Sequence, residues 1–326
     1  MAQTRTEARH RGARHLKKSG SVLCEGTIVK YAFIDKHRPR FAVTRLCRMV
    51  NVSRSGYNKW VARKGILTQR EEANAKLLID IRRVHVEYKQ AYGSVKTWHT
   101  LRQRGIACGK HRVARLRREN GIEARRTRRQ CTTKEHHKMA PPAPDLVEQQ
   151  FHAEAPDRIW VGDMTFIRTR EGWLHLAVLI DLFSRRVVGH AFDASPGQVV
   201  HQGALQMALR MRKPDAGLIH HTDRGAQYRA GAYKAEMAKH GIKPSMNGTA
   251  KPQDNAVAES FFSALKNELV HHETFSTRGE AKQMITEYID RFFNRRRIHQ
   301  SLGYRTPEQV EQEYRGANLN RPLKAG

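Results

Sequence analysis

A run of prolines divides this chain into two stretches whose apolar residues repeat with different periods. The segment "HHKMAPPAPDLVEQQ" holds Pro141, Pro142 and Pro144. Proline fixes its own φ and lacks a backbone N–H, so the segment reads as a stiff linker. Upstream, apolar residues recur every three or four positions, the spacing of helices with one buried face. Downstream they fall in short runs rich in β-branched and aromatic residues, bounded by turn residues, as strands do. One continuous layer cannot serve both patterns. The chain of 326 residues is therefore expected to build a helical part, a linker and a mixed α/β part.

The helical part repeats one pattern twice. In "RFAVTRLCRMVNVSRSGYNKWVAR" (40–63), Val43, Leu46, Cys47 and Val50 make an apolar stripe. A turn at Asn51 to Ser53 follows, and Arg54 opens a second helix through Tyr57, Trp60 and Val61. Two short helices about a tight turn predict a helix-turn-helix. In "SVKTWHTLRQRGIACGKHRVARLRRENG" (94–121), Val95, Trp98 and Leu101 form the first stripe, "GIACG" the turn, and Val113 and Leu116 the second, closed by Gly121. The outer face of this last helix is expected to carry Lys110, Arg112, Arg115, Arg117 and Arg118, suited to phosphates and groove edges. "GIACGKH" is one residue short of a phosphate-binding loop and has His111 where Ser or Thr belongs, so it is not one.

Charge separates the two halves as well. Residues 1–150 hold 35 Lys and Arg against 12 Asp and Glu, whereas residues 151–326 hold 25 against 19. An excess of +23 confined to one half points to a polyanion, and nucleic acid is the expected partner. No apolar run approaches the roughly 20 residues of a membrane span, and the first 30 residues lack the apolar core of a secretory signal. The four cysteines are scattered without a C-x-x-C pair, which fits free thiols in a reducing cytoplasm. Cys108 with His111, and Cys131 with His136, lack the tight pairing of a zinc site.

Beyond the linker, "RIWVGDMTFIRT" (158–169), "WLHLAVLIDLFS" (173–184) and "RRVVGHAFD" (185–193) read as three strands of an antiparallel meander. A helix over 198–211, a strand in "AGLIHHTD", a helix through "YRAGAYKAEMAKHG", a strand in "IKPSM" and a helix in "AVAESFFSALKNELV" follow. The order βββαβαβα belongs to mixed α/β layers.

Three carboxylates stand out in this half. Asp163 lies inside the first strand, where a charge needs a partner. Asp223 ends a strand, 60 positions later, and Glu259 opens a helix with 35 residues between them. Two strand carboxylates and one helix carboxylate can converge at one edge of such a sheet and invite Mg²⁺ or Mn²⁺. Two such ions could serve an in-line phosphoryl displacement. Asp223 could instead cap a turn before Gly225. Asp181 adjoins a turn and Arg185 and is expected to cap or pair, Asp254 to cap the following helix, and His220 and His221 to pack and orient.

The segments "IWVGDMTFI", "LHLAVLIDLFSRRVVGHAF", "HHTDRGAQY", "DNAVAESFFSALKNE" and "YIDRFFNRRRIHQSLGYRTPEQ", in this order, closely resemble the DDE transposases of the insertion-sequence-three family, relatives of retroviral integrases. Upstream, "VKYAFIDKH", "MVNVSRSGYNKW" and "KHRVARLRRENGI" resemble the opening of that family's integrase-like subunit, so the likeness spans roughly 29–314. Three departures are visible: Thr222 stands where Ser is commoner, Gly162 where Thr is common, and "SMNGTAKPQDNA" replaces the usual loop.

The resemblance implies a ribonuclease-H-like mixed sheet flanked by helices, preceded by an all-α DNA-binding region. It divides the chain into an unmatched basic segment (1–28), a helix-turn-helix region (29–130), the linker (131–156), the catalytic core (157–275) and a C-terminal helix with a basic tail (276–326). It makes Asp163, Asp223 and Glu259 the catalytic and metal-binding acids, and Lys266, on their helix face, a DNA contact beside Arg54 and the basic residues above. The implied activity is metal-dependent cleavage and strand transfer of element ends in the bacterial cytoplasm, at the nucleoid. The implied partners are terminal inverted repeats, target DNA, further copies of the chain, and a helix-turn-helix subunit from an upstream frame. A catalytically inactive DNA-binding regulator on the same fold is the alternative, and a hydrolase of RNA–DNA hybrids would share only the acids.

Overall fold

The computed structural model describes residues 25–66, 68–125, 143–147, 152–223, 225–246 and 256–319. Cys24, Cys131, His136, Asp254 and most of the proline segment lie outside the described residues. The chain forms two compact units, Met1–Leu77 and Leu78–Gly326.

In the first unit, α1 (Thr27–His37), α2 (Val43–Met49) and α3 (Arg54–Arg63) enclose Ile34, Leu46, Cys47, Val50 and Tyr57. Asn51 turns the chain in the left-handed region at φ 52°, and the Ser53 hydroxyl caps α3 by accepting from the Gly56 N–H at 3.0 Å. The expected helix-turn-helix pattern is present, with Arg54 exposed on the first turn of α3. Gly56 lets α1 approach closely, because a Cβ there would overlap the Tyr31 hydroxyl. Asp35 holds the helices together, accepting from the Tyr57 hydroxyl at 3.2 Å and pairing with Arg38 and Lys64.

The division between the units falls inside α4 (Gln69–Glu87), well before the proline segment. The second helix pair, α5 (Ser94–Gln103) and α6 (Lys110–Glu119), therefore belongs with the sheet. The physical reason is a set of contacts to residues 296–304. The Tyr92 hydroxyl accepts from the Ile298 N–H at 2.9 Å, His99 stacks on Tyr304 with ring centroids 3.6 Å apart, and Glu87 pairs with Arg104 and Arg296. Within the pair, Leu101, Val113 and Leu116 are buried as expected, and Trp98 Nε1 donates to the Cys108 carbonyl to fix the turn.

Arg117 corrects the sequence reading of α6. It is buried, not on the outer face, and donates to Thr97 Oγ1 at 3.0 Å and to the Tyr92 carbonyl at 2.9 Å. It lies one position from buried Leu116 and four from Val113, on the stripe that packs inward. Lys110 and Arg118 are exposed, and Arg112 and Arg115 are half-buried.

Five strands form the sheet, in the order β3-β2-β1-β4-β5. The strands β1 (Ile159–Thr169), β2 (Gly172–Asp181) and β3 (Val187–Asp193) are antiparallel, and β4 (Ile219–Thr222) and β5 (Lys243–Met246) run parallel to β1. One face packs Trp160, Ala177, Leu179 and Val188 against α7 (Gln198–Arg212), α8 (Ala226–Arg229) and α9 (Gly231–Lys239). The helix expected over 228–241 breaks in two at Ala230, whose ψ of 138° is extended. On the opposite face Val161, Ile167, Val178 and Ile180 are buried too, and α10 (Ala256–Glu268) and α11 (Arg278–Glu287) pack on β1 and β2.

Two buried polar clusters tie the C-terminal helix and turn to this sheet. Glu311 of α12 (Pro307–Leu319) accepts from Arg212 at 2.8 Å and Ser184 at 2.9 Å, while Arg212 also grips Asp157. Asn294 pairs its amide with both backbone groups of Val187, closing the start of the edge strand β3. Asp181 caps the turn after β2 as expected, accepting from the Ser184 N–H and the Asp157 N–H. Burial pushes its carboxyl up to about 6 against those hydrogen bonds.

Candidate active site

The parallel pairing of β1 with β4 sets the site. Gly162 pairs with Thr222, so the next residue on each strand, Asp163 and Asp223, reaches the same level on neighbouring strands. Strands lie about 4.8 Å apart, which sets the backbones of the two residues side by side. β4 ends at Thr222, so Asp223 stands at the carboxyl end of a short strand, level with Asp163 inside β1.

The surroundings are dry and aromatic. Asp163 is only 6% exposed, and its Oδ1 accepts from the Met164 N–H at 2.8 Å. Asp223 Oδ1 accepts from the Gly225 N–H at 3.0 Å, which is the turn-capping geometry anticipated for it. Buried Tyr228 lies near both acids; burial pushes its hydroxyl well up, and the charges of Asp163 and Asp223 push it further. His201 of α7 packs on Tyr228 with ring centroids 4.8 Å apart, and burial pulls its imidazole down to about 4 against the nearby charge of Asp223.

His220 and His221 pack and orient, as expected. His220 Nε2 lies 2.8 Å from the Tyr233 hydroxyl, and His221 Nδ1 lies 2.8 Å from Ser245 Oγ on the adjoining strand. Gly162, a departure from the family pattern, has a reason here: a Cβ would come 2.7 Å from His220 Cε1.

Glu259 lies exposed in the first turn of α10, the helix that packs on β1. Among the described residues no three His, Cys, Asp or Glu side chains gather closely enough to hold a metal ion. The structure thus brings Asp163 and Asp223 together, while Glu259 does not join them at ligand distance. Three like charges at one point repel each other unless a cation shares them. The two adjacent carboxylates present hard oxygen donors in a confined edge, a set that fits Mg²⁺ or Mn²⁺ better than soft metals.

Lys266 sits on α10 two turns after Glu259, with its ammonium 5.3 Å from the Phe166 ring of β1. Burial pulls it down, and the nearby charge of Asp163 pulls it back up. The other predicted cations are spread over the two units: Arg54 in the first, and Lys110, Arg112, Arg115 and Arg118 on α6 in the second. Sequence reasoning missed Tyr228, His201 and the linked trio Glu268, Tyr288 and Arg297. Tyr228 stands in the quoted "HHTDRGAQY", but no spacing rule says that it lies near both acids.

The chain is similar to known proteins over most of its length. The family described as Integrase core domain matches residues 153–252 and, through a second such family, residues 240–307. A family described as HTH-like domain matches residues 70–130. The chain is 36% identical over 283 residues to Transposase InsF for insertion sequence IS3A of Escherichia coli (strain K12), covering 87% of this chain and 98% of that one. It is 38% identical over 270 residues to the Insertion element IS600 uncharacterized 31 kDa protein of Shigella sonnei, covering 82% and 98%. Among solved structures, a chain of the simian T-cell lymphotropic virus intasome in complex with PP2A regulatory subunit B56 gamma aligns at TM-score 0.43 and 14% identity, over 76% of each chain. The HTLV-2 integrase catalytic core domain in complex with magnesium aligns at TM-score 0.39 and 17% identity, over 48% of this chain and 98% of that one.

Proposed function

Because this chain belongs to the insertion-sequence-three (IS3) family of transposases, and so is a DNA-binding polynucleotidyl transferase, we propose that Asp163, Asp223 and Glu259 are its catalytic acids. The observation that carries this reading is the register of Asp163 and Asp223 on adjacent parallel strands. These residues would hold Mg²⁺ or Mn²⁺. Bound there, two such ions supply charge neutralisation and an activated oxygen nucleophile for in-line phosphoryl displacement.

The protein's own residues position the DNA. Lys266 meets the phosphate at the element end, beside Asp163. Burial of Tyr228, His201 and Asp163 keeps water from the reacting phosphodiester and strengthens every charge interaction there. Arg54, Lys110, Arg112, Arg115 and Arg118 grip backbone phosphates of the terminal repeat, in work that several copies on one DNA would share with the upstream-frame subunit. This places the protein at the nucleoid, in the bacterial cytoplasm.

Mg²⁺-dependent cleavage and joining of labelled element-end DNA tests the assignment, beside a gel shift in EDTA. Asp163→Asn, Asp223→Asn and Glu259→Gln should each abolish cleavage and joining while leaving the shift intact. Double variants should be little worse than single ones, since groups acting as one unit are not additive. If Asp223 serves only to cap the turn at Gly225, Asn caps nearly as well. Robust joining by Asp223→Asn would then overturn the catalytic role.

A further inference from the structure

The end of the β1–β2 ribbon carries an aromatic pair that core packing does not require. Phe166 is 51% and Trp173 46% exposed, and their rings meet edge to face with centroids 5.2 Å apart. Register explains the meeting. Phe166 stands opposite His175 and Arg168 opposite Trp173, so Phe166 and Trp173 share one face as diagonal neighbours.

Cations flank both rings. The Arg168 guanidinium lies 5.9 Å from the Trp173 ring, and Lys266 Nζ lies 5.3 Å from the Phe166 ring. The mount beneath them is rigid. Arg278 donates from Nε to the Trp173 carbonyl at 3.0 Å and from its backbone N–H to Glu171 at 2.7 Å. The Arg170 N–H donates to the Phe275 carbonyl at 3.0 Å, and the Thr169 hydroxyl closes the turn on the Gly172 carbonyl at 2.7 Å. Exposed rings on a braced ribbon are preorganised for an occupant, because little ordering remains to be done on contact.

We propose that Phe166 and Trp173 form a stacking platform for an unpaired base at the DNA end, with Arg168 and Lys266 taking the adjoining phosphates. Charge selects the occupant. Arg168, Lys266 and Arg278 flank the pair, and the carboxylate of Glu171 is engaged by the Arg278 N–H. A polyanion with exposed π faces fits that surface, and stacking accepts any base. The bases of an intact duplex are hidden, so the occupant is a base frayed from the terminus. Lys266 links the platform to the chemistry: Phe166 lies three residues, about 10 Å, beyond Asp163 and on the other face of β1, and Lys266, beside the Phe166 ring, also feels the Asp163 charge. In this last respect the inference rests on the acid assignment above, since Lys266 would lead the strand end from the platform toward those carboxylates.

The test uses the full chain in EDTA and an element-end duplex carrying 2-aminopurine at the unpaired terminal nucleotide. Fluorescence should be quenched on binding to the parent and equally to Asp163→Asn, so the readout does not depend on catalysis. Phe166→Leu and Trp173→Leu keep apolar bulk without a π face and should each lose most of the quenching. Their affinity for frayed-end DNA should fall about 5- to 100-fold, and for a fully paired end much less. Quenching that survives in the double Leu variant overturns the proposal. So does a changed oligomeric state in sedimentation with quenching intact, which would make the pair a contact between copies. Should Asp163→Asn retain cleavage while the Leu variants lose quenching, the acid assignment falls and the platform stands.

Discussion

Arg297 grips Glu268 with two guanidinium nitrogens, Nη2 at 2.7 Å from Oε1 and Nε at 3.0 and 2.9 Å from the two carboxylate oxygens. The Tyr288 hydroxyl donates to the same carboxylate at 2.7 Å. Glu268 ends the helix whose first turn carries Glu259, so this lock fixes the far end of α10. Burial works against the charge on Arg297, and Glu268 more than offsets it, holding the guanidinium above its ordinary range. Lys96, half-buried beside them, is pulled down to about 8 by desolvation and by the Arg297 charge.

Breaking one side of the lock leaves the other charge buried without its partner. Glu268→Gln should cost about 3–5 kcal/mol of stability. The pair Glu268→Leu with Arg297→Met should recover much of that loss, because apolar replacements remove both desolvation costs. Urea denaturation of the two variants beside the parent checks this. A double variant as unstable as the single one would show that shape, and not charge pairing, sets the cost.

Arg117 and Arg118 are adjacent in sequence and should behave oppositely. Arg118→Ala, on an exposed side chain, should leave the melting temperature within about 1 °C. It should reduce the slope of log affinity against log salt by about 1 if the residue touches one phosphate. Arg117→Ala orphans the Tyr92 carbonyl, leaves the Thr97 hydroxyl only its bond to the Gly93 carbonyl and empties a buried volume, at a cost of about 2–4 kcal/mol. Hydrogen exchange should then report loosening of α5 and α6. Equal effects of the two substitutions on DNA binding and stability would contradict the placement of Arg117.

Gly189 allows α7 to lie against β3. A Cβ there would overlap the Ala204 carbonyl oxygen and come 2.8 Å from Ala208 Cβ. Gly189→Ala must therefore lift the helix from the sheet, and should destabilise by about 1–3 kcal/mol or more. Thermal denaturation measures it, and a neutral outcome would show that the contact relaxes freely.

Asp181 gives the fold a pH dependence of definite sign. Its carboxyl rises from the ordinary 3.8 to about 6 on folding, chiefly through burial, so the folded state takes up a proton that the unfolded state does not. The group's contribution is most favourable at the acid end and is lost as pH rises from about 4 to about 6, by up to about 3 kcal/mol. Asp181→Asn cannot titrate. The stability gap between parent and variant should therefore widen from pH 7 to pH 4.5 in parallel urea titrations; a gap that narrows contradicts the shift.

The strands β1 to β5 and both helix pairs were legible because their signals are local. Alternation, turn residues and caps depend on neighbours within a few positions, and "NVSRS" or "REGW" punctuates the chain wherever it lies. The spacing of Asp163, Asp223 and Glu259, with the family resemblance, singled out those acids. It could not tell that Gly162 would pair with Thr222, which alone makes Asp163 and Asp223 neighbours, because register is settled by the packing of both sheet faces. The inward turn of Arg117 was hidden for a similar reason. Its helix reads as basic nearly all round, and only the Tyr92 carbonyl and Thr97 hydroxyl waiting beneath it select that arginine for burial. The extent of the second unit was hidden too: Tyr92 and Ile298 are joined across 206 positions, and no local period carries information over such a distance. Sequence by itself determined which elements form and singled out three acids among many. Tertiary structure decided which side chains meet, because long-range contacts are chosen by the free energy of the packed whole.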